Sequence, residues 1–352
     1  MMAQKKLPFK LPPIQSYLFH TFRLGIIWDR VECLPWFYSN YIQLLCQETP
    51  SDGQNQFHFD FFPMYYNHVD VPWLYGPHFF DKDTVFNCNI DINQLIIQYI
   101  DRDYYLYAVV DEFFIPNRSS YQTRHYYHDN LVYGYDTERK MFNIAGFDDR
   151  FLRVSESEVD FMEYHNAFMS KESLSPWRKR VTCFKKSDPY QYDLDLKLIS
   201  EFLNEYLLSI DSSHRLRMVH NPENNITYGM KVYECLRRYL ELVLMDQIGG
   251  NIVLPVNIFC EHKACMLLRL KYMEENGYLD NGGLIYERYQ NIERNFLIAR
   301  NLMIKYTGSK NQRDISRVID IVHKMESEER EALLDLQKKI TDLACDNKSE
   351  ER

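Results

Sequence analysis

The chain has 352 residues, 50 acidic against 41 basic side chains, and a formal net charge of −9. That length suits one large domain or two ordinary ones, at roughly 100–200 residues each. A hydrophobic content of 45% excludes wholesale disorder. The acidic balance argues against nucleic-acid wrapping, and the lack of an apolar run of about 18 residues argues against a membrane-spanning helix.

Met1–Lys10 holds Lys5, Lys6 and Lys10 but no apolar stretch of the signal-peptide kind. The eight Cys, at positions 33, 46, 88, 183, 235, 260, 265 and 345, form no C-x-x-C pair. The chain therefore reads as a cytoplasmic protein with reduced thiols and no zinc ribbon. Trp36 to Cys46 is expected to be a helix, with Pro35 in its first turn and Trp36, Phe37, Tyr41, Leu44 and Leu45 at helical spacing. Asp91 to Ile100 is a second helix, its first turn carrying the charge of Asp91. Tyr104–Asp111 (YYLYAVVD) reads as a strand, and Asn130–Tyr135 with Lys140–Ala145 reads as a hairpin around the polar turn at 136–139. Glu156–Met169 is expected to be helical. After about residue 185 helical periodicity dominates. Five helices are predicted, over Asp193–Leu208, Gly229–Ile248, Ile258–Asn276, Leu284–Thr307 and Asp314–Ala344, with a polar tail at Asp346–Arg352.

The stretch that best suggests chemistry runs from His125 to Asp149. His128 directly precedes a predicted strand, whose hairpin partner returns to Gly146-Phe147-Asp148. An imidazole and an acid at adjacent strand ends suit a general base and its orienting group. Asn143 and Asp149 are alternatives to Asp148, and His125 is the fallback base. Cys33 lies at the mouth of the first predicted helix, where dipole and free N–H groups favour a thiolate. Plainer uses compete with these: a structural thiol for Cys33, a carbonyl-bonded strand-edge ring for His128. Cys46, near a helix C-terminus, reads as core. His262 and Cys265 share a helix face without a second ligand pair, so no metal is expected. The acid/base run Glu326–Lys339 reads as a solvated face that a homodimer or carrier protein could use.

Three stretches resemble one family. They are Cys33-Leu34-Pro35-Trp36-Phe37-Tyr38-Ser39-Asn40, the run His128 to Asp136 (HDNLVYGYD), and Phe142-Asn143-Ile144-Ala145-Gly146-Phe147-Asp148. Over about residues 15–185 the chain is similar to the N-terminal domain of the butirosin biosynthesis H protein family. Those are acyltransferases related to C39-like, papain-type cysteine peptidases. The family's acid directly follows the second strand, where this chain has Gly146. The resemblance implies an α+β papain-like domain over residues 1–185 and an all-helical domain over 186–352. It implies Cys33 as nucleophile, His128 as base and Asp148 as the group that fixes the imidazole. The acyl donor would be a carrier-protein thioester on a phosphopantetheine arm and the acceptor a small amine, with no bound cofactor, nucleic acid or membrane. Two rivals stand beside this: a cysteine peptidase or amide hydrolase with the same residues, and a non-catalytic relative that binds a carrier protein or synthetase module.

Overall fold

The computed structural model describes residues 3–51, 54–62, 71–75, 78–148, 153–170, 176–188, 191–218, 225–279 and 282–350. In chain order the elements are β1 (Gln4–Lys6), α1 (Leu18–Ile27), α2 (Leu34–Asn40), β2 (Leu44–Ser51), β3 (Gln54–Phe61), β4 (His78–Asp81), α3 (Lys82–Asn87), α4 (Ile92–Asp101), β5 (Tyr104–Asp111), β6 (Tyr127–Asp136), β7 (Met141–Phe147), β8 (Val154–Asp160), α5 (Phe161–Met169), β9 (Arg180–Lys185), α6 (Leu196–Leu208), β10 (Ile226–Tyr228), α7 (Val232–Leu244), α8 (Leu254–Glu275), α9 (Gly283–Ser309) and α10 (Gln312–Glu350). The fold is mixed α+β, with antiparallel sheets. Among the described residues no helix is long and apolar enough to cross a membrane.

The chain divides into two units: residues 1–33 with 70–191, and residues 34–69 with 192–352. The first is built on a sheet of order β4-β9-β5-β6-β7-β8, with β1 added on β6. Strand β5 is central and nearly all buried, which accounts for its continuous apolar run. The β6–β7 hairpin turns where Asp136 Oδ1 accepts the backbone N–H groups of Glu138 and Arg139, at 3.0 and 2.9 Å. Helix α4 starts where Asp91 Oδ1 accepts the N–H groups of Asn93 and Gln94. It buries Ile92, Ile96, Ile97 and Ile100 and packs on β5 and β6.

The second unit holds α6 to α10 and a small sheet of order β10-β2-β3. Its largest helix–helix contacts join α9 to α10 and α8 to α9. Arg269 on α8 is fully buried and satisfies the end of α2, donating from Nε to Tyr38 O and from Nη2 to Tyr41 O, each at 2.6 Å.

Three sequence expectations shift. The helix expected over 36–46 ends at Asn40, and Leu44–Ser51 is a strand, because β2 pairs along its length with β3 and with the distant β10. The helix expected over 156–169 starts only at Phe161, where Asp160 caps Met162 N–H at 2.7 Å, and the preceding residues pair with β7. Finally, the division of the chain falls at 191 rather than 185, and the helical unit also takes in residues 34–69, so it is not all-helical.

Candidate functional site

The distal end of β5 collects polar side chains from three strands and the loop after β5. His128 is the second residue of β6 and pairs with Val110 on β5. Its Nδ1 lies 3.5 Å from Oε1 of Glu112, which follows β5 directly and is buried. The imidazole is stacked on Tyr126 and sits 5.5 Å from the Phe147 ring. The β6–β7 register brings Leu131 opposite Ala145, so one step on Asn130 faces Gly146, and Asp148 leaves β7 on the His128 side. Asp148 is held by its backbone N–H, which donates to Arg153 O at 2.8 Å. Asp149 lies outside the described residues, and Asn143 faces Gly134 farther along the hairpin.

Arg118 joins this end of the sheet. It is only 4% exposed, and its guanidinium lies against Gly146: a Cβ there would stand 2.8 Å from Arg118 Nη2. Burial pulls the Arg118 pKa down, and the charges of Glu112 and Asp148 pull it back up. Gly146 thus leaves a space beside the strand that the Arg118 guanidinium fills.

One residue back from Glu112, Asp111 forms a second cluster. Its carboxylate is fully buried. Oδ1 accepts the N–H groups of Phe113 and Tyr126, at 3.1 and 3.2 Å. Oδ2 takes the Ser170 hydroxyl at 2.8 Å and His125 Nδ1 at 2.6 Å. Burial raises its pKa, but these hydrogen bonds outweigh burial and hold it below the usual carboxylate value. The His125 ring is stacked on Phe113 and largely exposed. The geometry is that of a histidine oriented by a buried acid, with its other ring nitrogen free to face solvent. Lys82, 1% exposed, donates to Phe168 O nearby and is pulled down to about 8 by burial, with Asp111 opposing.

Cys33 belongs elsewhere in the unit. Its backbone N–H donates to Arg30 O, and the charges that reach its thiol are Asp29, Glu32 and Arg30. Asp29 and Arg30 are tied to Lys186 and to Ser187 O, just beyond β9, whose Lys185 pairs with Tyr104 at the start of β5. His128 pairs with Val110, six residues up that strand, or about 20 Å at ~3.4 Å per residue. The segment that carries Cys33 is thus tied near the Tyr104 end of β5, whereas His128 pairs near the other end. Burial, then Asp29, pushes the Cys33 thiol up to about 12. The sequence motif brought His128 and Asp148 to one strand end; Cys33 does not join them. Arg118, Glu112 and Asp111 were not singled out from sequence. The available signal was Asp111-Glu112 closing a wholly apolar strand.

No protein-family model matches the chain, and no curated protein matches it. The family resemblance rests on the three quoted stretches alone.

Proposed function

We propose that the chain is a non-catalytic relative of the papain-like cysteine acyltransferases, which binds a small ligand or a carrier protein through its sheet unit. The observation that carries this reading is the surroundings of Cys33. A nucleophilic cysteine needs partial exposure, a positive neighbour and a lowered pKa. This thiol is buried, has Asp29 as its strongest charged neighbour and is pushed up to about 12. The exchange of an acid for Gly146, with Arg118 laid against it, supports the same conclusion.

The second reading is the cysteine acyltransferase, with Cys33, His128 and Asp148 as its residues and a carrier-protein thioester as donor. It is favoured by the 3.5 Å approach of His128 to Glu112, which leaves an imidazole with an acid beside it. One experiment separates the two. The protein is incubated with acylated pantetheine thioesters and, separately, with iodoacetamide at neutral pH. Adducts are then mapped by mass spectrometry. Exposed Cys88 is the internal reference for an ordinary thiol. The expected result is no acyl group on Cys33 and alkylation there far slower than at Cys88. An acyl adduct on Cys33, absent in Cys33→Ala and His128→Ala, overturns the binding reading in favour of acyl transfer.

A further inference from the structure

Three buried side chains at the His128 end of the sheet carry polar atoms with no hydrogen-bond partner among the described residues: Arg118 (Nη1 and Nη2), Glu112 (Oε2) and Asn130 (Oδ1). They are 4%, 2% and 2% exposed. Each buried polar group left in that state costs about 1–3 kcal/mol, more for charged groups, so a cluster of them points to something that completes it. The geometry gathers them. Asn130 and Gly146 are the residues next beyond the Leu131–Ala145 pair of the β6–β7 register, the Arg118 guanidinium lies on Gly146, and Glu112 and Asp148 are the acids whose charges reach it. Glu112 Oε1 is turned to His128, leaving Oε2 as the open acceptor.

The chemistry of these atoms is mixed. Arg118 offers only donors, in the fork that fits a carboxylate. Glu112 and Asn130 Oδ1 offer only acceptors. A simple anion would satisfy Arg118 but would meet Glu112 and Asp148, and a simple cation would meet Arg118. A molecule with a carboxylate and an ammonium on one shared carbon satisfies both sets and leaves the local charge unchanged.

We infer that this cluster binds the head group of a free α-amino acid, its carboxylate on Arg118 and its ammonium between Glu112 Oε2 and Asn130 Oδ1. This names the ligand class for the binding reading above and rests on it. Gly146 is part of the design, because any side chain there displaces the guanidinium.

Thermal unfolding of the full chain in millimolar L-amino acids tests the inference. Acetate and methylammonium serve as the two half-ligands. The expected result is a rise in Tm with at least one amino acid, growing with the logarithm of its concentration and absent with either half-ligand. Calorimetric titration of that amino acid should be at least ~10-fold weaker in Arg118→Gln, the loss of a charge-assisted pair. Should Arg118→Gln not fold, Asn130→Ala, which removes the Oδ1 acceptor, carries the same expectation. No Tm shift with any amino acid overturns the inference. So does an equal shift with acetate alone, which would mark a plain anion site, or unchanged binding in the variant. The Cys33 adduct experiment stays independent: an acyl-Cys33 sinks the binding reading whatever the amino acids do, and amino acids without effect sink only the ligand.

Discussion

Lys263 Nζ lies 2.6 Å from Glu329 Oε2, and both side chains are fully buried between helices of the second unit. The pair is not isolated. Tyr233 donates to Glu329 Oε2 at 2.6 Å, Tyr206 to the same oxygen at 3.2 Å, and Tyr289 to Oε1 at 3.2 Å. Four aromatic rings, of Tyr206, Tyr233, Phe259 and Phe296, surround the ammonium. Carboxylate and ammonium are both satisfied, which is the condition under which a buried pair is tolerated. Helices α6, α7, α8, α9 and α10 each contribute a member, so the network fixes their register as apolar packing alone does not.

Removing one partner leaves the other charge stranded. Glu329→Leu is expected to destabilise the chain by about 3–5 kcal/mol, measured by urea unfolding. The double variant Lys263→Met/Glu329→Leu removes both charges and should recover much of that loss, although three tyrosine hydroxyls then lose their acceptor. A double variant no more stable than Glu329→Leu would contradict this account of the pair.

Lys82 gives a pH dependence of defined sign. Burial lowers it from 10.5 to about 8, while Asp111 partly opposes. Between those two values the unfolded chain holds a proton that the folded chain does not, so stability rises with pH across this window. Below about 8 the cost of burying the charge is present in full. Relative to Lys82→Met, the wild type should therefore gain about 2 kcal/mol between pH 8 and pH 10. Denaturant titrations of both proteins at the two pH values measure it. A constant difference would mean that the lysine titrates normally.

What the sequence made legible follows the range of the interactions involved. Helix α4 was readable because its cap, Asp91, and its isoleucines lie within three turns. The β6–β7 hairpin was readable because its turn and both strands fall within about twenty residues. Leu44–Ser51 was not. Its local spacing is helical, and its strand character comes from pairing along its whole length with β3 and, at Leu45–Gln47, with β10, some 180 residues later. The site divides in the same way. His128 and Asp148 belong to one hairpin and were found together. Arg118 lies in a loop with no motif around it, and its role depends on a missing Cβ at Gly146. The separation of Cys33 from His128 depends on which end of β5 each segment joins, which no local pattern encodes.

Asp111 is expected to matter for the first unit's stability as well as for His125. Its depressed pKa means that its contribution is present above about pH 4 and is lost as pH falls through the lower folded-state value. Asp111→Asn keeps the shape but not the charge, and turns one acceptor into a donor facing Ser170 or His125. A loss of about 2 kcal/mol at pH 7, shrinking toward acid pH, is the expected outcome of denaturant titrations. A loss that stays constant from pH 7 down to acid pH would contradict this account of Asp111.

Gly229 opens the turn before α7 with φ +61°, in the left-handed region. A Cβ added there would lie 2.2 Å from the Tyr206 carbonyl oxygen and 2.9 Å from its carbon. These are backbone atoms of α6, which cannot step aside as the tip of a side chain can. Ala at this position therefore meets two separate costs. The left-handed conformation costs about 1 kcal/mol for a residue with a Cβ. Displacing a helix backbone adds about 1–3 kcal/mol of overpacking strain. Gly229→Ala should lower stability by about 2–4 kcal/mol in urea unfolding, whereas Gly249→Ala, with open space around it, should change it by less than about 0.5 kcal/mol. Equal effects at the two glycines would mean that the α6 carbonyl is not held where this packing requires.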